Sequence, residues 1–336
     1  MSSTNVNFPE NLNISPSAYP DRELNSVSGA RREHSVFGDV AQREAIEKYG
    51  IAGRIWFDLT YCLLDSYSLQ SSREAAYFLS RYIDPPSNVI FDPPFIGTST
   101  ISCRNLVILE LGSGAGMTSS CIAEILNEQD MLIATDLPDV CPLLESNIRV
   151  STTSAVSSVY VRPLAWGNEV HSAAIASELL TFPEGSVPLT HVVCSDLIYF
   201  PELLAPLLRT LLQVTSPPFS PSTTNATVNV VISYKLRSLS KETPFWSAFG
   251  LWFNFEPILV KDTSSADSQW QRFGASAVYD PVFIFVGCRR PESFSWTIPL
   301  DDSDLLGGKG AMGNDSMKSD DTFETLLFMT MDDMNT

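Results

Sequence analysis

The segment ELGSGAG, residues 110–116, combines an acidic residue with three glycines at a point where a backbone turn can do chemistry. It follows the short apolar run NLVILEL and precedes a helical pattern over residues 117–128. Glycines at such a turn let backbone approach a ligand closely, and the next helix N-terminus presents free N–H groups. The segment predicts a nucleotide-binding turn; a tight turn without a ligand is the structural alternative.

The spacing of these glycines separates two classes of nucleotide-binding protein. The dinucleotide fingerprint has glycine at its first, third and sixth positions. Counting from Gly112, the sixth position is Met117. Moreover, no lysine or arginine lies between Arg104 and Arg149 to offer a cation to a pyrophosphate. Both observations disfavour a nicotinamide-dependent oxidoreductase.

Two further residues end predicted strands where a bound nucleotide would lie. Asp136 ends the run MLIATD, and a carboxylate there can accept both hydroxyls of a ribose. Trp166 ends the next run, VYVRPLAW, and its flat indole can pack against an adenine. The structural alternatives are a helix cap for Asp136 and core packing for Trp166.

The fourth predicted strand, HVVCSD, supplies a pair of candidate substrate residues. It leads into Asp196 and Tyr199. The sheet is expected to reverse its strand order between the first and fourth strands, and ligands bind in the crevice at such a point. A carboxylate there can orient a substrate ammonium; a helix cap and a surface aromatic are the structural alternatives.

These residues require a sheet that brings the ends of several strands together. Short apolar runs alternate with helical patterns, which is typical of a parallel sheet covered on both faces. We therefore predict an α/β fold, with a doubly wound, mostly parallel seven-stranded sheet, helices on both faces and an antiparallel last strand. The seven predicted strands are NLVILEL, MLIATD, VYVRPLAW, HVVCSD, VNVVISYKL, FEPILVK and PVFIFVGC.

The rest of the chain divides into flanking segments. Residues 1–35 are rich in Ser, Asn and Pro and predict a flexible arm, and residues 36–300 form the domain. A helical pattern covers about 53–82, and two Pro-Pro pairs predict a loop over 84–102. Residues 301–336 predict an acidic, mobile tail, in which FETLLFM is either a docked helix or mobile.

The composition of the chain indicates which partners it can bind and in which compartment it is found. A formal net charge of −18, without a long basic run, disfavours binding to nucleic acid and favours a basic protein partner. The alternative is that the charge only keeps the protein soluble.

Six scattered cysteines and three dispersed histidines predict a reducing compartment and no metal site. The N-terminus lacks the pattern of a secretory signal, and no apolar run is long enough to span a membrane. We expect a cytoplasmic protein, with the nucleus as a second compartment.

Taken together, these motifs resemble the seven-strand, class I methyltransferases that use S-adenosylmethionine. More narrowly, the chain resembles lysine methyltransferase family 16, the methyltransferase-like 21 group, from about residue 53 to 290. The motifs that carry the likeness are GRIW at 53–56, ELGSGAG at 110–116, TDLP at 135–138, LAWG at 164–167, DLIYF at 196–200 and SYKLR at 233–237.

The resemblance implies a protein-lysine N-methyltransferase with S-adenosylmethionine as cofactor and a protein substrate, translation factors and chaperones being the first candidates. It implies that Asp196 and Tyr199 border the lysine channel. It also implies a set of cofactor contacts: Trp56, Glu110, Gly112, Ser113, Gly114, Asp136, Trp166 and Ser195. Ser195 stands where a small apolar residue is common in the family.

Two alternatives to this function remain open at the level of sequence. One is a class I methyltransferase that acts on a small molecule. The other is a non-catalytic module that binds the cofactor, or nothing, and serves in protein interactions. The loop after the fourth strand does not resemble the Asn-Pro-Pro-Tyr element used on planar amino groups, which disfavours bases and glutamine as acceptors.

Overall fold

The computed structural model describes residues 39–53, 75–97, 105–151, 158–182, 185–220, 227–265, 267–274 and 282–333. The predicted N-terminal arm and the segment 54–74, which carries Trp56, lie outside these residues. The strands are β1 Val89–Asp92, β2 Val107–Leu111, β3 Met131–Asp136, β4 Val159–Pro163, β5 Thr181–Phe182, β6 Gly185–Ser186, β7 His191–Ser195, β8 Asn229–Lys235, β9 Phe253–Pro257, β10 Leu259–Asp262, β11 Gln271–Arg272 and β12 Val282–Arg289. The helices are α1 Asp39–Tyr49, α2 Ala75–Ile83, α3 Met117–Ile125, α4 Cys141–Ser151, α5 Glu169–Ile175, α6 Pro201–Val214, α7 Leu239–Trp252, α8 Asp302–Leu306 and α9 Thr322–Asp333.

The main sheet has seven strands in the order β4-β3-β2-β7-β8-β12-β9. Neighbouring strands from β4 to β8 pair in parallel, whereas β12 runs antiparallel to both β8 and β9. The predicted mostly parallel sheet with an antiparallel last strand is therefore confirmed. The chain winds outward from β2 through β3 to β4 and then returns to β7 on the other side of β2. A crevice for ligands opens at that reversal.

Burial of both faces explains why the central strands are apolar throughout. All five residues of β2 are buried, and alternate side chains enter two different core clusters. Ile108 faces a cluster with α2 residues, while Leu109 faces a cluster with residues of α6 and α7. A strand covered on both faces has no solvent-exposed face, so its residues do not alternate between apolar and polar.

The predicted sixth strand and the predicted loop 84–102 are both corrected. FEPILVK is not one strand, because β9 ends at Pro257 and β10 joins a separate sheet with the order β1-β10-β11. Proline has no N–H to donate to a ladder, which favours an end to pairing at that point. The partner of β10 is β1, within the segment expected to be a loop, with Val89 opposite Asp262.

Over the described residues, the C-terminal tail is docked against the domain. Of the two alternatives for FETLLFM, the structure shows the docked helix and not the mobile segment. Phe323 of α9 is fully buried and stacks on Trp246 of α7, with ring centroids 4.8 Å apart. The backbone N–H of Asp320 donates to the carbonyl of Ser247 at 3.2 Å. Gly250 makes room for this contact, since a Cβ at that position would lie 2.1 Å from Asp320 Oδ1. Within the described part of the chain, no helix is long and apolar enough to cross a membrane.

Candidate active site

A cleft lies at the carboxyl ends of β2, β3 and β7, where the strand order reverses. The structure brings nine of the ten predicted site residues to its walls, and the tenth, Trp56, falls outside the described residues. The nine are Glu110, Gly112, Ser113, Gly114, Asp136, Trp166, Ser195, Asp196 and Tyr199. They come from strand ends and adjoining loops that are far apart in sequence, which is expected of a ligand site in an open α/β sheet.

The glycine turn after β2 has a backbone that other residues rarely adopt. Gly112 and Gly114 have φ values of 61° and 53°. A Cβ on Gly112 would lie 2.8 Å from Leu197 Cδ2 and 3.1 Å from Trp166 Cζ2. Both the left-handed conformation and the crowding therefore require glycine at this position. The turn also places the Trp166 indole beside the backbone that faces the cleft.

Glu110, near the end of β2, is a carboxyl group buried in the floor of the cleft. It is 1% exposed and accepts a hydrogen bond from the Ser119 hydroxyl on α3. Burial raises its pKa from 4.5 to about 7, and the hydroxyls of Ser119 and Ser113 oppose this effect. Near neutral pH, this residue can therefore change its charge when a cation or hydrogen-bond donor enters.

Asp136 lies beside it, at the end of β3. One carboxylate oxygen accepts the N–H of Gly114 at 2.7 Å, and the other accepts the N–H of Leu137 at 2.7 Å. Burial raises its pKa from 3.8 to about 6, against the effect of these two bonds. A carboxylate has about four lone-pair sites, so acceptor capacity is left on each oxygen for a ligand.

Asp196 closes the other side of the cleft in an unusual conformation. Its φ is 60°, the left-handed region, which Asp tolerates better than most residues. Its N–H donates to the carbonyl of Ser233 at 2.8 Å, which fixes the loop to the end of β8. Its carboxylate is held by Arg237: Nη1 donates to Oδ1 at 2.7 Å, and Nη2 donates to Oδ2.

Ser195 precedes Asp196 at the end of β7, and Tyr199 follows Asp196 on the loop after that strand. Tyr199 is half-buried, and its ring packs edge-on against Phe200, with centroids 4.6 Å apart. Burial raises the pKa of the Tyr199 hydroxyl, and the nearby carboxylates of Asp136 and Asp196 raise it further. The hydroxyl therefore stays protonated over the working pH range and can donate a hydrogen bond. Ser195 is half-buried at the end of β7.

Two features of the site were not identified from the sequence. The turn Gly50–Gly53 borders the cleft through Ile51 and Ala52, and the Ala52 carbonyl lies 3.4 Å from the Cβ position of Gly114. The motif SYKLR was noted as a strand ending, but Arg237 was not assigned as the partner of Asp196. A cation directly after a strand adjacent to that of Asp196 was the available signal.

The sheet order, the glycine turn and the strand-end carboxylates define the fold of the class I methyltransferases that use S-adenosylmethionine. A sequence model of the family described as lysine methyltransferase matches residues 44–249, more than half of the 336-residue chain. The chain belongs to this lysine methyltransferase family.

Three of the solved structures that the chain resembles, all at low sequence identity, are described as methyltransferases. The CurJ carbon methyltransferase has 16% identity and a TM-score of 0.34, over 55% of this chain and 48% of that one. A predicted O-methyltransferase from Agrobacterium tumefaciens has 12% identity and a TM-score of 0.35, over 64% and 80%. TomG from Streptomyces achromogenes, solved with SAM, has 13% identity and a TM-score of 0.33, over 55% and 73%. The chain spans about half the length of the CurJ structure.

S-adenosylmethionine is the cofactor of this class, and the described residues fit it. The cleft offers glycine backbone without side chains on one wall and two buried carboxyl groups, Glu110 and Asp136, on its floor. Asp136 retains acceptor capacity for two ribose hydroxyls, and Glu110 can balance the cationic ammonium of the methionine part. Trp166 supplies an aromatic wall.

Proposed function

We propose that the protein transfers a methyl group from S-adenosylmethionine to the ε-amine of a lysine on another protein. The observation that carries the proposal is the Asp196–Tyr199 loop, which borders the same cleft as the cofactor residues. Membership of the lysine methyltransferase family supports it. The net charge of −18 also favours encounter with a basic protein surface, and translation factors and chaperones are the first candidates.

Four elements would hold the cofactor. The Gly112–Gly114 backbone would contact its methionine part together with Glu110, Asp136 would accept the ribose hydroxyls, and Trp166 would pack against the adenine. When bound, the sulfonium supplies an activated methyl group and a good leaving group. The protein therefore has to position and desolvate the acceptor rather than activate the donor.

Asp196 and Tyr199 would act on the substrate side. A lysine amine must be neutral to attack, and a site shielded from water disfavours the charged ammonium. The Asp196 carboxylate would accept an N–H of that amine and fix the direction of its lone pair. Tyr199 would form the channel wall and offer its hydroxyl as a hydrogen-bond partner.

The experiment is methyl transfer from tritium-labelled S-adenosylmethionine to proteins of a lysate, followed by acid hydrolysis and separation of the amino acids. The wild-type protein is compared with Asp196→Asn, because Asn also tolerates the left-handed backbone and keeps the side-chain shape. The expected result is labelled methyllysine with the wild type and a large loss with Asp196→Asn. The affinity for S-adenosylhomocysteine should stay nearly unchanged.

The same assay separates this proposal from its alternatives. Label in small molecules alone would indicate a small-molecule methyltransferase. Binding of S-adenosylhomocysteine without transfer to any acceptor would indicate a non-catalytic module. Loss of transfer and cofactor binding together in Asp196→Asn would assign Asp196 a structural role.

A further inference from the structure

The carboxylate proposed to orient the substrate is paired with a cation in the described structure. The Arg237 guanidinium spans both oxygens of Asp196 in a two-pronged contact, one prong at 2.7 Å. The Asp196 side chain is only 2% exposed, while that of Arg237 is 30% exposed. The contact therefore joins a buried carboxylate that lines the cleft to a partly exposed cation.

Arg237 is itself fixed by a buried acidic residue on α7. Glu242, 2% exposed, accepts the backbone N–H groups of Arg237 at 3.2 Å and of Ser238 at 3.1 Å. The hydroxyl of Tyr234, on β8, donates to the same carboxylate. The network thus anchors the backbone of Arg237 from two elements, so that its guanidinium meets Asp196 in one geometry.

Whether a carboxylate is paired with a cation decides which protonation state of an incoming amine it stabilises. An unpaired, buried carboxylate would favour the charged ammonium of lysine, which cannot attack the methyl group. Asp196 Oδ1 accepts the backbone N–H of Lys235 at 3.3 Å in addition to Arg237 Nη1, whereas Oδ2 accepts Arg237 Nη2. With its charge balanced by the guanidinium, the carboxylate therefore keeps a lone pair on Oδ2 to accept an N–H. It then orients a neutral amine without stabilising its protonated form. The fork also fixes the plane of the carboxylate, which a single-point contact does not.

We propose that Arg237 is a positioning residue for methyl transfer, which holds the Asp196 carboxylate in the orientation and charge balance that a neutral lysine amine requires. The inference rests on the proposed function of Asp196. Arg237 acts through Asp196, and Glu242 acts through Arg237.

The test compares the full-length wild type with Arg237→Ala and Arg237→Lys in the tritium assay at saturating S-adenosylmethionine. Arg237→Ala should slow transfer on the order of 100-fold, the cost of displacing a reacting group by ~1 Å. The dissociation constant of S-adenosylhomocysteine should stay near that of the wild type. Lysine keeps the charge without the fork, so Arg237→Lys should lie between the two.

Chemical rescue distinguishes positioning from a general structural role. Guanidinium ion at non-denaturing concentration should restore part of the rate to Arg237→Ala and none to Asp196→Asn. The matched control is Arg162→Ala, since Arg162 has a similarly exposed side chain, 33%, and pairs with Glu178 away from the cleft lining. It should transfer methyl groups at the wild-type rate.

Wild-type transfer rates in Arg237→Ala would overturn the inference. So would a loss of rate that comes with weakened S-adenosylhomocysteine binding and is not restored by guanidinium. If the wild type labels an acceptor other than lysine, the proposed function fails, and the same comparison of variants then decides only whether Arg237 positions Asp196 for that acceptor. If the wild type labels no acceptor, both are contradicted.

Discussion

Glu110→Gln is expected to make the ligand-free protein more stable while weakening its binding of the cofactor. Burial raises the pKa of Glu110 from 4.5 to about 7. A carboxyl group with a raised pKa in the folded state contributes stability below its unfolded pKa and loses it as the pH rises through the folded value. At pH 8, the ionised Glu110 in its buried site therefore opposes folding.

The size of this effect follows from the pKa change. A tenfold change in proton affinity corresponds to about 1.4 kcal/mol, so the rise from 4.5 to about 7 costs the ionised form ~3 kcal/mol. Glutamine has nearly the same shape, cannot ionise, and can still accept the hydrogen bond of Ser119. We expect Glu110→Gln to be more stable than the wild type by up to ~3 kcal/mol at pH 8, with the gap closing toward pH 4.5.

Urea unfolding between pH 4.5 and 8.5 measures this gap directly. The matched control is Glu128→Gln at an exposed position, where we expect a change within about 0.5 kcal/mol at every pH. Calorimetry should show weaker binding of S-adenosylhomocysteine by Glu110→Gln at pH 8. A stability gap that does not depend on pH, or a less stable variant at pH 8, would refute the reasoning about burial. Unchanged binding would refute the ligand role.

Two further predictions concern single side chains. Gly112→Ala should weaken S-adenosylhomocysteine binding in calorimetry, since its Cβ would lie 2.8 Å from Leu197 Cδ2 in a left-handed backbone; Gly97→Ala, with nothing within 4 Å, is the control, and equal losses in both would contradict the argument. Phe323→Ala should cost about 3–5 kcal/mol in urea unfolding, as expected for a large buried aromatic, whereas a cost under about 1 kcal/mol would contradict a docked tail.

The features that could be predicted are those that depend on residues close together in the sequence. The end of β3 at Asp136 and the end of β7 just before Asp196 follow from apolar runs that stop at polar residues, and the glycine turn follows from its own composition. The reversal of strand order places these ends at one edge, and together with the family resemblance it allowed nine of the cleft-lining residues to be predicted without contact information. The antiparallel last strand followed from two apolar runs without a clear helix between them.

What could not be predicted depends on contacts between distant parts of the chain. β1 pairs with β10, with Val89 opposite Asp262, and the sequence of neither short strand indicates which strand it pairs with. The ion pair of Asp196 and Arg237 spans 41 positions and two loops. Docking of the tail buries Phe323 together with Leu305 and Ala311, a few apolar residues in an acidic segment whose composition is typical of a solvated one.

The central claim, that the cleft at the ends of β2 and β3 binds S-adenosylmethionine, is tested most directly by thermal unfolding with and without S-adenosylhomocysteine. Wild type and Asp136→Asn are compared. A ligand that binds only the folded state adds about 2.7 kcal/mol at a hundred times its dissociation constant. The account predicts a clear rise in Tm for the wild type that is largely lost in Asp136→Asn. No rise in the wild type at saturating ligand, or an equal rise in both proteins, would contradict it.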